Sequence, residues 1–152
     1  MQIFKDKVIL ITGANRGIGK SLVSALLNNG AGKIYATCRD LKNMPAFNDH
    51  RIVPLQLDIT DVKQVEMSAL AAPDTEILIN NAGTLNPGNM LQGEVLAMEN
   101  DLKVNYFGTI NMMRAFAPIL IKNRPSIMIN IVSIAAYSPL PSIAGYAASK
   151  AA

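Results

Sequence analysis

Tyr146 and Lys150 stand four residues apart in the stretch GYAASKAA, Gly145 to Ala152, so on a helix they share one face. A phenol is a poor proton donor or acceptor at neutral pH, because its ordinary pKa is about 10. An ammonium about 5 Å away, at an effective dielectric near 20, favours the phenolate by roughly 3 kcal/mol. Such a pair suits general acid–base chemistry. Alone it carries little weight, since a tyrosine near a lysine is more often a surface pair. Pro139 and Pro141 lie in the preceding loop, and Ser142 is the expected N-cap of the helix.

A second chemical stretch lies near the N-terminus, T12-G13-A14-N15-R16-G17-I18-G19. Gly13, Gly17 and Gly19 permit a tight turn and a close backbone approach. A helix beginning there would offer unpaired N–H groups and a positive dipole end to phosphate. A glycine-rich turn is a weak signal in isolation; between a buried strand and a helix it becomes a good one.

The elements that must position these groups follow from hydrophobic patterning. Lys7–Thr12 is a continuous apolar run ending at a glycine, as a strand buried on both faces would be. Gly17–Asn29 predicts a helix, with Leu22, Ala25, Leu26 and Asn29 on one face and Gly30 as its stop. Further strands are expected at 33–37 and 51–57, the latter at a sheet edge because of Pro54. Residues 40–49 between them read as an irregular connection. Thr60 is the expected N-cap of a helix over 61–70. A fourth strand is expected at 76–79, then a surface loop at 84–95, a long helix at 98–122, and a fifth strand at 126–132. This alternation implies a Rossmann-type, doubly wound parallel sheet covered by helices. Ligands bind such sheets at the carboxyl ends of the strands, where the suspicious polar clusters of this sequence fall.

Composition narrows the class. Half of the 152 residues are apolar and 16% are charged, which excludes a disordered, highly charged chain. The net charge of +3 is dispersed, with no basic run longer than two, so no nucleic-acid partner is expected. No apolar run reaches the length of a membrane span, and the single cysteine, Cys38, agrees with a reducing cytoplasm. No metal-ligand spacing is present, and His50, the one histidine, falls in a polar loop.

The glycine spacing, Gly-x3-Gly-x-Gly, resembles the TGxxxGxG motif of the short-chain dehydrogenase/reductase family. Four more matches make the resemblance specific: L57-D58-I59, N80-N81-A82-G83, Asn105 within K103-V104-N105, and Ser133 followed by Y146-A147-A148-S149-K150. It extends over essentially the whole chain, as one dinucleotide-binding domain over 1–152 with strand order 3-2-1-4-5. The resemblance implies that Gly13, Asn15, Arg16, Gly17, Ile18 and Gly19 surround the pyrophosphate. Asp58 and Ile59 would meet the adenine, and Asn81, Ala82 and Gly83 the adenosine ribose. Tyr146 would exchange a proton with a carbonyl or alcohol oxygen as hydride passes to or from the nicotinamide. Lys150 would hold the nicotinamide ribose, Ser133 would hydrogen-bond the substrate oxygen, and Asn105 would hold a water for proton relay.

The residue after the second strand distinguishes the two nicotinamide cofactors, because a carboxylate there binds a ribose 2′-hydroxyl and repels a 2′-phosphate. Here that position matches Cys38, followed by Arg39, with Arg16 near the same spot. A guanidinium clamps phosphate bidentately, so NADP(H) is favoured over NAD(H). Asp40, one residue on, is the alternative NAD-type carboxylate. The resemblance also implies a small-molecule carbonyl or alcohol substrate, and a homo-oligomer formed through the helix over 98–122 and the Tyr146 helix. Family members continue beyond the equivalent of Ala152. The expectation is therefore a C-terminally truncated chain or one piece of a longer polypeptide, with a non-catalytic nucleotide-binding module as the alternative.

Overall fold

The computed structural model describes residues 3–152. Five parallel strands form one sheet in the order β3-β2-β1-β4-β5. They are β1 (Val8–Ile11), β2 (Lys33–Cys38), β3 (Ile52–Gln56), β4 (Ile77–Asn80) and β5 (Ile127–Asn130). The helices are α1 (Gly17–Asn28), α2 (Val62–Ala71), α3 (Val95–Leu102), α4 (Thr109–Lys122) and α5 (Ala144–Ala151). Strand periodicity divides the core between the two faces of the sheet. Ile9, Ile11, Ile77 and Ile79 pack with Val23 and Leu26 of α1. Leu10 and Leu78, between them in sequence, pack with Val65 of α2 and Met112, Phe116 and Leu120 of α4. The two central strands read as unbroken apolar runs because both of their faces are covered.

Pro54 stands in β3, which pairs only with β2, so the missing N–H removes no bond from the centre of the sheet. β5 forms the other edge, with Ile129 level with Ile79 of β4. Several boundaries differ from the sequence expectations. The buried face of α1 is Gly19, Val23 and Leu26, with Leu22 at its margin and Ala25 and Asn29 exposed. Asp61, not Thr60, caps α2, its carboxylate accepting from the Lys63 and Gln64 amides. Thr60 instead closes a turn on Asp58. The connection over 40–49 contains a 3₁₀ turn, Leu41–Asn43, capped by Asp40.

The long helix starts at Val95 rather than Met98. Between α3 and α4 it passes through a π-helical segment, Lys103–Gly108, that apolar spacing does not reveal. Ile143, not Ser142, precedes α5, and no side chain among the described residues caps that helix. Its first amide is satisfied from the 84–93 loop, because Ala144 N donates to Gly88 O (3.1 Å) while Gly88 N donates to Ser142 O (2.8 Å). No helix among the described residues is long and apolar enough to cross a membrane.

Candidate active site

The carboxyl ends of β1 to β4 open into a cleft of about 930 Å³. Gly13, Asn15, Arg16, Gly17, Ile18, Gly19, Arg39, Asp58, Ile59, Asn81, Ala82 and Gly83 all line it, together with Cys38, Asp40, Asn43, Asn100 and Lys103. Thr12, the residue just past β1, ties the glycine loop to the β4 loop. Its Oγ1 accepts from Asn81 N (3.0 Å) and Ala82 N (2.9 Å). Asn81 Nδ2 answers by donating to Thr12 O (2.8 Å) and Gly13 O (3.2 Å). Gly13 takes φ +67°, and a Cβ there would stand 3.0 Å from Ala82 Cα. Among the described residues no side chain caps the start of α1, and its first amides face the cleft, free to bind an anion.

Charge in the cleft is unevenly committed. Arg16 and Arg39 take part in no salt bridge among the described residues. The Asp40 carboxylate is occupied locally, accepting from Lys42 N (3.0 Å) and Asn43 Nδ2 (3.3 Å). Asp58 Oδ1 already accepts from Thr60 N (2.9 Å) and Thr60 Oγ1 (2.7 Å). Cys38 is buried, its Sγ donates to Asp40 O (3.2 Å), and burial pushes its thiol pKa up. His50 is exposed, beside Asp49.

The second group of residues gathers on the far side of Gly83. A Cβ at Gly83 would lie 2.9 Å from Asn105 Oδ1 and 3.6 Å from Lys150 Nζ. α5 reaches this place by packing Gly145 so closely on α3 that a Cβ would stand 2.8 Å from Met98 Cα. Lys150 Nζ donates to Ile131 O (3.0 Å) just past β5 and lies 6.0 Å from the centre of the Tyr146 ring. Burial lowers the Lys150 pKa. Tyr146 is half-buried. Ser133 caps the turn Ile134–Ala136, which packs against α5, with its Oγ accepting from Ala135 N (3.2 Å).

Asn105 sits within the π segment, buried. Its Oδ1 accepts from Thr84 N (2.8 Å), and its Nδ2 donates to Thr84 O (2.8 Å) and Ser149 Oγ (2.8 Å). Ser149 Oγ in turn donates to Tyr146 O (2.7 Å). Thr12, Thr84, Asp101 and Ser149 are the polar supports that sequence reasoning passed over. Ser149 carried a signal, being a polar residue three positions after Tyr146 and therefore on its side of the helix. Among the described residues no group of three or more His, Cys, Asp or Glu side chains is placed to hold a metal ion.

The family profile described as short chain dehydrogenase matches residues 7–152. A short chain dehydrogenase from Burkholderia cenocepacia, solved in complex with NADP, superposes with TM-score 0.93 at 44% identity, over 97% of this chain and 62% of that one. A Burkholderia phymatum short chain dehydrogenase/reductase in complex with NAD gives TM-score 0.89 at 27% identity, over 97% of this chain and 56% of that one. Among curated proteins, the short chain dehydrogenase pigC of Monascus ruber is 30% identical over 162 aligned residues, 96% of this chain. The chain spans 54% of that relative's length.

Proposed function

The chain belongs to the short-chain dehydrogenase/reductase family, and on that footing we propose that it forms the cofactor-binding and proton-transfer part of an NADP(H)-dependent oxidoreductase acting on a carbonyl or secondary alcohol. One observation carries the reading. A single cleft unites the glycine loop, Arg39, Asp58 and Asn81–Gly83, and Gly83 joins that cleft to Asn105 and Lys150. The residues present fit a dinucleotide: α1 amides left uncapped by the described residues for a pyrophosphate, an apolar Ile59 beside Asp58 for a base, and two guanidinium groups unpaired among those residues.

The preference for a 2′-phosphate rests on the division of labour between neighbours. Asp40 spends its carboxylate on the turn after β2, while Arg39 and Arg16 hold no partner among the described residues and line the same cleft. A guanidinium there supplies charge-assisted hydrogen bonds that a ribose hydroxyl cannot match. The Burkholderia cenocepacia structure, with NADP bound, supports the same choice.

When bound, the nicotinamide supplies or accepts the hydride. Tyr146 gives its phenolic proton to the carbonyl oxygen in reduction and takes it back from the alcohol in oxidation. Lys150, a cation near the ring, favours the phenolate that remains. Ser133 steadies the substrate oxygen as negative charge grows on it. Asn105, held by three hydrogen bonds to Thr84 and Ser149, keeps a lone pair of Oδ1 for the relay water, with Lys150 close by across Gly83. Exposed Phe107 (56%) and Ile121 (61%) on the long helix support a homo-oligomer formed through it. The lone cysteine supports action in the cytoplasm.

The test is NADPH oxidation with a panel of aldehydes and ketones. Tyr146→Phe is expected to lower turnover at least about 100-fold while NADPH binding, read by fluorescence, stays within about threefold. Binding without any turnover in the unsubstituted chain would favour the nucleotide-binding module instead, and absence of binding would sink both.

A further inference from the structure

Asp101 lies in the last turn of α3 with 0% of its surface exposed, and it has no ion-pair partner among the described residues. Its carboxylate faces neutral donors. Thr84 Oγ1 donates to Oδ1 (3.0 Å), Asn86 Nδ2 donates to Oδ1 (2.8 Å), and Asn86 N lies 3.2 Å from both oxygens. An unpaired buried charge is costly and persists only when its lone pairs are filled. Asp101 therefore requires the segment 84–86 to stay folded against α3, a demand that an apolar residue of similar volume would not make.

What that segment does next gives the carboxylate its importance. The Thr84 peptide grips the Asn105 carboxamide at both ends, N–H to Oδ1 and C=O from Nδ2. The grip dictates which end of the carboxamide is oxygen and which is nitrogen. The other Nδ2 hydrogen goes to Ser149 Oγ, and the Ser149 hydroxyl goes to Tyr146 O. An unbroken line of hydrogen bonds thus runs from α3 through the loop and the π segment into α5.

We propose that Asp101 is a positioning residue for the Tyr146–Lys150 pair, acting through Thr84 to hold the Asn105 carboxamide in one orientation against Ser149. Its catalytic side rests on the oxidoreductase reading above; its structural side does not. The decisive measurement is hydrogen exchange by NMR on the ¹⁵N-labelled protein. Asp101→Ala is expected to speed exchange of the Asn105 carboxamide protons at least about tenfold, while β1 and β4 backbone amides stay within about threefold. Asp101→Asn keeps an oxygen where Oδ1 accepts three of the contacts, and is expected to restore protection.

Thr84→Val removes the hydroxyl but keeps the gripping peptide, and is expected to give an intermediate rate; it carries the test if Asp101→Ala does not fold. Where turnover is present, Asp101→Ala is expected to lower kcat at least about tenfold with the KM for NADPH within about twofold, and Asp101→Asn to recover it. An Asn105 carboxamide that exchanges at the unsubstituted rate in Asp101→Ala, or in Thr84→Val should the former not fold, overturns the proposal. So does acceleration shared equally by the core amides. If the unsubstituted protein turns over no carbonyl, the oxidoreductase reading fails while the exchange comparison still decides this one.

Discussion

Two glycines of the N-terminal loop should fail in different ways when a methyl group is added. A Cβ at Gly19 would lie 2.1 Å from Gly13 O and 2.6 Å from Asn81 Nδ2. Ordinary C···O contacts begin near about 3.3 Å, so the Gly13 carbonyl would have to retreat by about 1 Å. That carbonyl belongs to a loop fastened by Asn81, so the retreat disturbs the whole turn. Overpacking of this kind costs up to about 3 kcal/mol. At Gly17 an added Cβ meets nothing within 4 Å, and the cost is the strain of φ +53° alone, about 1–2 kcal/mol. Urea unfolding of Gly19→Ala and Gly17→Ala without nucleotide is expected to show the former as the less stable. Fluorescence titration is expected to show NADPH binding at least about 100-fold weaker in Gly19→Ala, equivalent to about 2.7 kcal/mol. If Gly19→Ala is as stable as Gly17→Ala and binds NADPH within about threefold, the close approach of Gly19 to Gly13 does not shape the phosphate loop.

Other expectations probe separate parts of the molecule. Arg39→Ala should weaken NADPH binding at least about tenfold and NADH binding less than about threefold, since a hydrogen bond to a charged group contributes about 1.5–3 kcal/mol; equal losses would remove the phosphate role. Burial pushes Glu76 toward its neutral form, but Lys7 Nζ at 2.6 Å and Val8 N at 3.0 Å outweigh this and hold its pKa below the ordinary 4.5. A depressed carboxylate pKa stabilises the fold above the unfolded value, and the stabilisation disappears as pH falls through the folded one. Glu76→Gln should therefore cost about 1 kcal/mol near neutral pH and flatten the acid limb of the stability curve; an unchanged limb refutes the assignment. Cys38, 4% exposed with its pKa raised by burial, should react with an aromatic disulfide reagent at least about 100-fold more slowly than a free thiol, and more slowly still with NADPH in the cleft. Complete labelling within seconds would contradict its burial.

The sheet was legible because β1 and β4 are apolar on both faces, and only a sheet covered by helices on both sides asks for that. The cleft was legible because its contributors sit at strand ends, where a glycine, an aspartate or an asparagine interrupts an apolar run. Illegible were the bonds that hold these pieces to each other. Thr12 and Asn81 meet across 69 positions, and Asn105 and Ser149 across 44, distances over which no local pattern speaks. The caps of α2 and α5 were misread by one residue for a related reason. Asp61 and Thr60 are both acceptable caps, and the choice is made by Thr60 being drawn to Asp58. Asp101 reads as an ordinary helix-surface aspartate until the loop after β4 is folded over it.

The π segment between α3 and α4 has a consequence for how the chain tolerates change in length. Each residue of an α-helix turns the rod by about 100°, and a π turn takes up one surplus residue by widening, which leaves the flanking helices facing as they would in a regular helix one residue shorter. Removing one residue between 103 and 108 would let that turn close to α-helical pitch, with α3 and its Asp101 still facing as they do relative to Met112 and Phe116 in the core. A frame-preserving deletion in a surface loop is usually silent. Here, in the middle of a helix, the two flanking helices would tolerate one as well, and the loss would fall on the site itself, since Lys103 and Val104 line the cleft and Asn105 bonds to Thr84 and Ser149.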